Sequence, residues 1–342
     1  VIKYKQQRQL CFDDILMVPQ TSNVQSRSEI DLRMPFGKGS HLTFPVIAAP
    51  MDTVCEEEMA VAIAKAGGLG MIHRFMDIKK QQRIVQNLCL QDLAVGASVG
   101  AKGTYLEDTG KLLLSGASAI LVDTANGHSS YAVEAVKKIR DTFGTSFHLM
   151  AGNVSTKFGF EALSEAGADS IRVGIGGGSV CTTRLVSGHG IPTLASIMEI
   201  KEWKEESGIN TTIIADGGIR NTGDMIKAFA AGADAVMLGS MLAGTDESPG
   251  RLLIDGSGKY KIFRGMASKE ANQGKDVPIA EGVATKIAHK GPVDKIFSDI
   301  RGGLGSGCSY SGEHNLRDLY EGSMYIEVSS LSVSESKPHA LV

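Results

Sequence analysis

The sequence predicts a closed barrel of eight parallel strands, each followed by a helix, with an N-terminal leader and a C-terminal flap and tail. Three observations carry this. Eight short runs rich in Val, Ile, Leu and Ala recur along the chain. Amphipathic stretches such as EEEMAVAIAKAGG, YAVEAVKKIRDTF, FGFEALSEAGA and GDMIKAFAAGA lie between them, and a glycine tends to stop each one. Most successive strand starts are about 22 to 29 residues apart, the length of one strand–helix unit. An open doubly wound sheet is the competing arrangement on pattern alone.

The strands begin near Phe44 (FPVIAAPM), Leu69 (LGMIH), Ala94 (AVGASVG), Ala119 (AILVDTA), His148 (HLMAGNV), Ser170 (SIRVGI), Thr212 (TIIADGG) and Ala235 (AVMLGSM). Continuous apolar runs of this kind mark strands buried on both faces, as a parallel sheet under helices requires. The barrel core spans about 44–250. One interval, from Ser170 to Thr212, is overlong at about 42 residues. Before the barrel, FDDILMVPQ reads as a short apolar element and SRSEIDL as a strand. After it come a hairpin-like IDGSGKYKIFRG, a polar flap over 265–283, a helix near 292–300 and a polar tail from about 305. No Pro/Ser-rich linker divides the 342 residues, so one domain is expected.

Composition narrows the function. With 42% hydrophobic and 21% charged residues the chain is a globular one. A net charge of −3 offers no basic field for nucleic acid, so a phosphate partner must be held by local geometry. No apolar run approaches the roughly 20 residues of a membrane span, and VIKYKQQRQL has no signal core. A cytoplasmic setting is expected. The five cysteines include no CxxC pair and no zinc spacing, so a cysteine that matters does so alone, as a nucleophile.

In such a barrel, chemistry sits where strands end and helices begin. GIGGGSVCTTR (174–184), in the overlong interval, is the most informative of these ends. Its glycines let backbone groups converge on a ligand or ion, Ser179 adds a hydroxyl, and Cys181 follows beside Thr182, Thr183 and Arg184. A thiolate beside such a loop is a nucleophile; the bland alternative is a small buried cysteine at a tight turn. The stretch is not a dinucleotide fingerprint, since Ser179 replaces the third glycine and no regular helix follows. ADGGI and LGSM end the seventh and eighth strands. Gly217, Gly218, Gly239 and Ser240 suit a phosphate cradle, and Asp216 suits a sugar diol. Alternatively these glycines serve packing and Asp216 caps a helix. In DTANGHS, Asp123 and Asn126 suit a carboxamide or ribose and His128 suits an acid–base role, unless the segment is only an Asx turn capped by Ser129 or Ser130. The stretch 265–283 has a loop's composition and the length of a lid, and it contains Glu270 and Glu281.

FDDILMVPQ, SRSEIDL, APMDTV, GGLGMIHR, DTANGHS, AGNV, VGIGGGSVCTTR, IADGGIR, MLGSMLAGTDESPG, RGMAS and AEGV resemble, in order, the motifs of the IMP dehydrogenase and GMP reductase family. The resemblance runs over about 9–338. It implies a (β/α)8 barrel, usually a tetramer, that binds a purine nucleotide and a nicotinamide cofactor. It further implies that Cys181 attacks C2 of the purine while Thr183 and Glu281 move protons there. Substrate contacts are implied for Met51, Asn153, Ser179, Asp216, Gly218, Gly239, Ser240, Gly265, Met266 and Ala267. Asp123, Ala125 and Asn126 are implied on the nicotinamide side. Dehydrogenases of the family hold potassium with carbonyls at the positions of Gly176, Gly178 and Cys181.

Within the family the chain looks most like a reductase, which turns GMP and NADPH into IMP and ammonia. It lacks the regulatory insertion usual in dehydrogenases after the second strand. Its flap residues 267–280 (ASKEANQGKDVPIA) lack the adjacent Arg-Tyr whose arginine activates water in dehydrogenases. Phe263 replaces a phosphate-binding tyrosine, and GCSY (307–310) is reductase-like. ADGGIRNTGD and ESKPH are more dehydrogenase-like, and oxidation of IMP with NAD is the alternative, with Lys275 or another group as base. A non-catalytic nucleotide-binding regulator is a third reading, opposed by the intact Cys181, Thr183 and Glu281. Gly177 stands where a proline is usual, Gly305 replaces an arginine, and Lys337 replaces a histidine of the potassium-binding segment.

Overall fold

The computed structural model describes residues 8–37, 39–256, 258–268, 270–271 and 279–338. Eight parallel strands close into a barrel: β1 (Val46–Ala48), β2 (Leu69–Ile72), β3 (Val95–Val99), β4 (Ala119–Asp123), β5 (His148–Val154), β6 (Ser170–Val173), β7 (Thr212–Asp216) and β8 (Ala235–Leu238). Each pairs with its chain neighbours, and β8 closes on β1 with Val236 opposite Val46. All eight predicted strands are present, so the open sheet is excluded. Their side chains are almost wholly buried, because the barrel interior fills one face and helices cover the other.

Seven helices follow the first seven strands: α1 (Glu57–Lys65), α2 (Ile78–Cys89), α3 (Tyr105–Leu114), α4 (Ser130–Phe143), α5 (Lys157–Glu165), α6 (Thr193–Ser207) and α7 (Thr222–Ala230). Local chemistry fixes their starts. The Asp77 carboxylate accepts from the Lys79 N–H at 2.8 Å, and the Asn221 amide oxygen accepts from the Asp224 N–H at 2.9 Å. Each satisfies one of the donors a helix leaves free at its first turn. Inward faces follow the helical period, as with Met59, Ala60 and Ile63 of α1.

The ring's last helix, α8 (Val293–Ser311), comes only after an excursion. Strands Leu253–Asp255, Gly258–Arg264 and Ala284–Ala288 form an antiparallel sheet there, so the predicted hairpin gains a third strand. Three other expectations are corrected. SRSEIDL carries a 3₁₀ turn, Arg27–Glu29, rather than a strand. The segment from 305 to 311 belongs to α8 rather than to a tail. The tail itself supplies strand Met324–Glu327, which pairs antiparallel with Ile15–Val18 of the leader. Leader and tail thus hold each other.

Candidate active site

The strand ends meet at one mouth, and the sixth is the most elaborate. Gly174 leaves β6 with φ +143°, and a Cβ there would lie 1.9 Å from the Asp216 carbonyl oxygen. Only glycine fits so close an approach in that conformation. Gly177 meets a different neighbour, since a Cβ at this position would stand 3.0 Å from Thr193 Oγ1. The absence of proline at 177 therefore has a partner on α6. A turn follows in which the Cys181 N–H donates to the Gly178 carbonyl at 3.1 Å. The chain then makes one helical turn, Thr183–Ser187, stopped by Gly188 in the left-handed region.

This turn carries a relay. The half-buried Cys181 thiol donates to Thr183 Oγ1 at 3.2 Å, and the Thr183 hydroxyl donates to Glu281 Oε2 at 2.8 Å. Glu281 lies a hundred residues away in sequence, yet main-chain bonds fix it. The Thr182 N–H donates to the Glu281 carbonyl, and the Val283 N–H to the Val180 carbonyl, each at 3.0 Å. The Glu281 N–H in turn donates to Ala267 at 3.1 Å. Segments 180–182, 265–268 and 281–283 are thereby laced together. Met266 is held from the loop after β1, where the Asp52 N–H donates to its Sδ at 3.4 Å.

The other cysteines differ. Burial pushes the Cys55 thiol far up and the Cys308 thiol to about 12, which keeps both protonated. Burial, then the neighbouring Asp14, also raises the Cys11 thiol.

Across the mouth lies a buried charge cluster. Arg172, on β6, donates from Nη1 to Asp123 Oδ1 at 2.6 Å, and from Nε and Nη2 to Asp216 Oδ2 at 3.0 and 2.8 Å. The same Asp216 oxygen accepts from Asn153 Nδ2 at 2.7 Å, and this amide also donates to the Gly174 carbonyl at 2.9 Å. A register shift between β5 and β6 at Gly152–Val154 accompanies this placement of Asn153. Burial works to lower the Arg172 pKa, but Asp216 and Asp123 outweigh it and hold the guanidinium above its ordinary value. Asp216 is not a helix cap, because Asn221 caps α7.

In the loop after β4, Asn126 Oδ1 accepts from the His128 N–H at 3.1 Å, which is the Asx turn of the plainer reading. The Thr124 N–H and hydroxyl both donate to the Gly152 carbonyl, so Ala125 and Asn126 sit in a loop stitched to β5. Gly239 and Ser240 are half-buried after β8, and Ser179 is exposed opposite the ADGG turn. A Cβ on Gly239 would touch Met51 Sδ at 3.3 Å, while one on Gly265 would lie 3.1 Å from the Val180 carbonyl. Lys275 lies outside the described residues.

Three groups escaped the sequence reading. Arg172 interrupts the apolar run SIRVGI, and an arginine inside a barrel strand demands buried partners, which was the available signal. Arg264 donates through Nε and Nη2 to Asp52 and through its N–H to Thr53 Oγ1, tying the flap's root to β1. Lys290 donates to the Ser240 and Met241 carbonyls at 2.6 and 3.0 Å, pinning the loop after β8. Neither of these two has a local pattern that marks it. A cleft of about 1350 Å³ lies on the barrel flank between α1, α2 and α8, away from Cys181.

A potassium ion needs a shell of oxygens to replace its water. The Gly178 carbonyl already accepts from Cys181, and Arg184 packs across Gly176, its Nε 3.0 Å from where a Cβ would stand. Gly176, Gly178 and Cys181 do not by themselves form such a shell. Among the described residues there is also no cluster of three His, Cys, Asp or Glu side chains that could hold a metal.

A barrel whose glycine-rich loops and carboxylates meet at one mouth is the architecture of an oxidoreductase class that works on nucleotides. The chain belongs to the IMP dehydrogenase / GMP reductase domain family, whose model matches residues 9–339. This is an NAD(P)-dependent family acting on purine nucleotides. The chain is 31% identical to an inosine-5′-monophosphate dehydrogenase of Nitrosopumilus maritimus, over 96% of this chain and 98% of that protein. It is 29% identical to a GMP reductase of Leishmania major, over 96% of each. A structure of a cysteine-to-alanine GMP reductase from Trypanosoma brucei with guanosine 5′-monophosphate superposes with a TM-score of 0.92, at 29% identity and 98% coverage of both chains. The first two alignments span 468 and 476 residues, more than the 342 of this chain. Relatives of both activities thus carry internal residues missing here, and the lack of an insertion does not separate them.

Proposed function

We propose that this protein is a GMP reductase, converting GMP to IMP and ammonia with NADPH through a covalent bond between Cys181 and purine C2. The observation that carries this reading is the Cys181–Thr183–Glu281 relay. Its hydrogen bonds point away from sulfur, so the thiol proton passes by way of Thr183 to the Glu281 carboxylate as sulfur adds to C2. The C2=N3 π bond opens onto N3, and C2 becomes tetrahedral. Glu281 then gives the proton to the exocyclic amine, the C–N bond breaks, and ammonia departs from a planar thioimidate. NADPH, when bound, supplies a hydride to C2. The C–S bond then breaks, sulfur leaves with its electron pair, and IMP is released.

The remaining residues position the ligands. Asp216, whose Oδ1 accepts from none of the described residues, takes the ribose diol. Ser179, Gly218, Gly239 and Ser240 receive the phosphate, while Met51, Asn153, Gly265, Met266 and Ala267 border the nucleotide. Asp123, Ala125 and Asn126 face the nicotinamide portion. Phe263 is buried and offers no hydroxyl to the phosphate, and residues 267–280 contain no Arg-Tyr pair to activate water; both features favour the reductase. The working unit is a single-domain chain in a homotetramer, a reading supported by the exposed Leu16, Met324, Tyr325 and Ile326 on the leader–tail ribbon. A cytoplasmic setting accords with this chemistry, and no described helix is long and apolar enough to cross a membrane.

ADGGIRNTGD favours a second reading, NAD-dependent oxidation of IMP to XMP. Purified protein with GMP and NADPH, or with IMP and NAD, followed by absorbance at 340 nm, decides between them. Consumption of NADPH with release of ammonia is expected. Formation of NADH with XMP would overturn the reductase reading. Absence of turnover with both pairs would favour the regulator.

A further inference from the structure

Arg172 joins two carboxylates that the reading above gives to different ligands, Asp216 to the nucleotide and Asp123 to the cofactor. We infer that Arg172 is a positioning residue that couples the two subsites, so that each ligand tightens the binding of the other. The inference rests on a mononucleotide and a nicotinamide cofactor sharing this mouth, and holds for either of the two reactions.

The geometry leaves little freedom. Arg172 is 8% exposed, and its Cβ lies 2.7 Å from where a Cβ of Gly152 would stand, so its stem packs directly on β5. The planar fork touches Asp216 through Nε and Nη2 and Asp123 through Nη1. Asp216 concentrates three donated bonds on Oδ2, and only Oδ1 is left for a ligand. A diol donating to Oδ1 grips the carboxylate from its second side. That fixes the guanidinium plane, and the same rigid plane then fixes Asp123. Ordering done by the first ligand is not repeated by the second, which is positive coupling, and linkage makes it reciprocal. A lysine keeps the charge but has no planar fork, so it cannot hold both carboxylates in one orientation.

The test uses the full chain carrying Cys181→Ala, which cannot form the adduct, with GMP and NADPH (and IMP and NAD) titrated calorimetrically, each alone and with the other saturating. With Arg172 intact, the nucleotide should tighten the cofactor by about fivefold or more, and the converse factor should match. Arg172→Lys should reduce both factors below about twofold. Asp123→Asn breaks the far end of the bridge and should do the same, which keeps the inference open to refutation if Arg172→Lys does not fold. Arg140→Lys is the control. It disturbs another buried pair, 2.6 Å from Asp169 before the start of β6, and should lower the melting temperature without changing the coupling. A merely structural Arg172 would weaken both ligands while leaving the ratio intact, and that result overturns the inference. Binding of both ligands by the Arg172-intact protein without mutual tightening overturns it too. Failure of that protein to bind any nucleotide would instead refute the two-ligand reading on which it rests.

Discussion

A thiol 3.2 Å from a hydroxyl that is itself 2.8 Å from a carboxylate is a short path for one proton. Two substitutions separate its parts. Cys181→Ala should lower kcat by about ten-thousand-fold or more while leaving the nucleotide Kd within about threefold, because the adduct is lost but the pocket is not. Appreciable turnover in that variant would refute covalent catalysis. Glu281→Gln should slow ammonia release by about a hundredfold or more and hydride transfer much less, as rapid-quench and stopped-flow measurements would show. Equal rates in both steps would remove Glu281 from the proton path. At this scale the sequence was legible where residue type and setting agreed, as at Cys181 among its glycines. Thr183 and Glu281 were readable only through the family resemblance, since no local pattern links residues a hundred positions apart. Arg172 was legible in principle, for a charge within an apolar strand is a contradiction that only buried carboxylates resolve.

Between elements, the loops at the barrel mouth are tied by small polar networks. Glu56, before α1, accepts from Lys80 of α2 at 2.7 Å and pairs with His73, after β2, at 3.2 Å. The Phe75 N–H donates to His73 Nδ1, so Nε2 carries the hydrogen given to Glu56. His73, then Lys80, holds the Glu56 carboxyl at about 2, against an ordinary 4.5. A carboxylate with a depressed folded value stabilises fully above its unfolded value and loses that contribution as pH falls towards the folded one. Between pH 5 and 2 this group should therefore give up about 1–2 kcal/mol, discounted for its partial exposure. Urea unfolding across that range should show a shallower pH slope for Glu56→Gln; identical slopes would contradict the assignment. The elements themselves were largely legible, since period and spacing located every barrel strand. The end of α8 was not, because GGLGSGCSY reads as loop. The structure supplies the reason. A Cβ on Gly303 would stand 2.5 Å from Thr222, and one on Gly307 2.4 Å from Ile226, so these glycines let α8 lie tightly on α7. Packing overrides propensity there.

For the molecule as a whole, the mouth draws on loops from β1, β4, β5, β6, β7 and β8 and on the outlying ribbon, and none of these subsites exists in the unfolded chain. A nucleotide should therefore stabilise only the folded state. At a hundred times its Kd, GMP should add about 2.7 kcal/mol to unfolding, seen as a rise of a few degrees in melting temperature, while guanosine at equal concentration should do far less. A shift that is equal for both would place the phosphate outside the glycine turns. The barrel was legible because repetition of one unit eight times is hard to mistake. The joining of leader to tail was not, since a four-residue pairing across most of the chain leaves no periodic trace.

The bond from the Glu281 N–H to Ala267 closes the base of the excursion between them like a drawstring. On the barrel side of that knot, sulfur, hydroxyl and carboxylate are joined to one another, and main-chain bonds tie their segments together. If the proposed chemistry holds, a lineage could change the reaction's outcome by rewriting the stretch between 267 and 281, while the bonded residues at its base stay as they are.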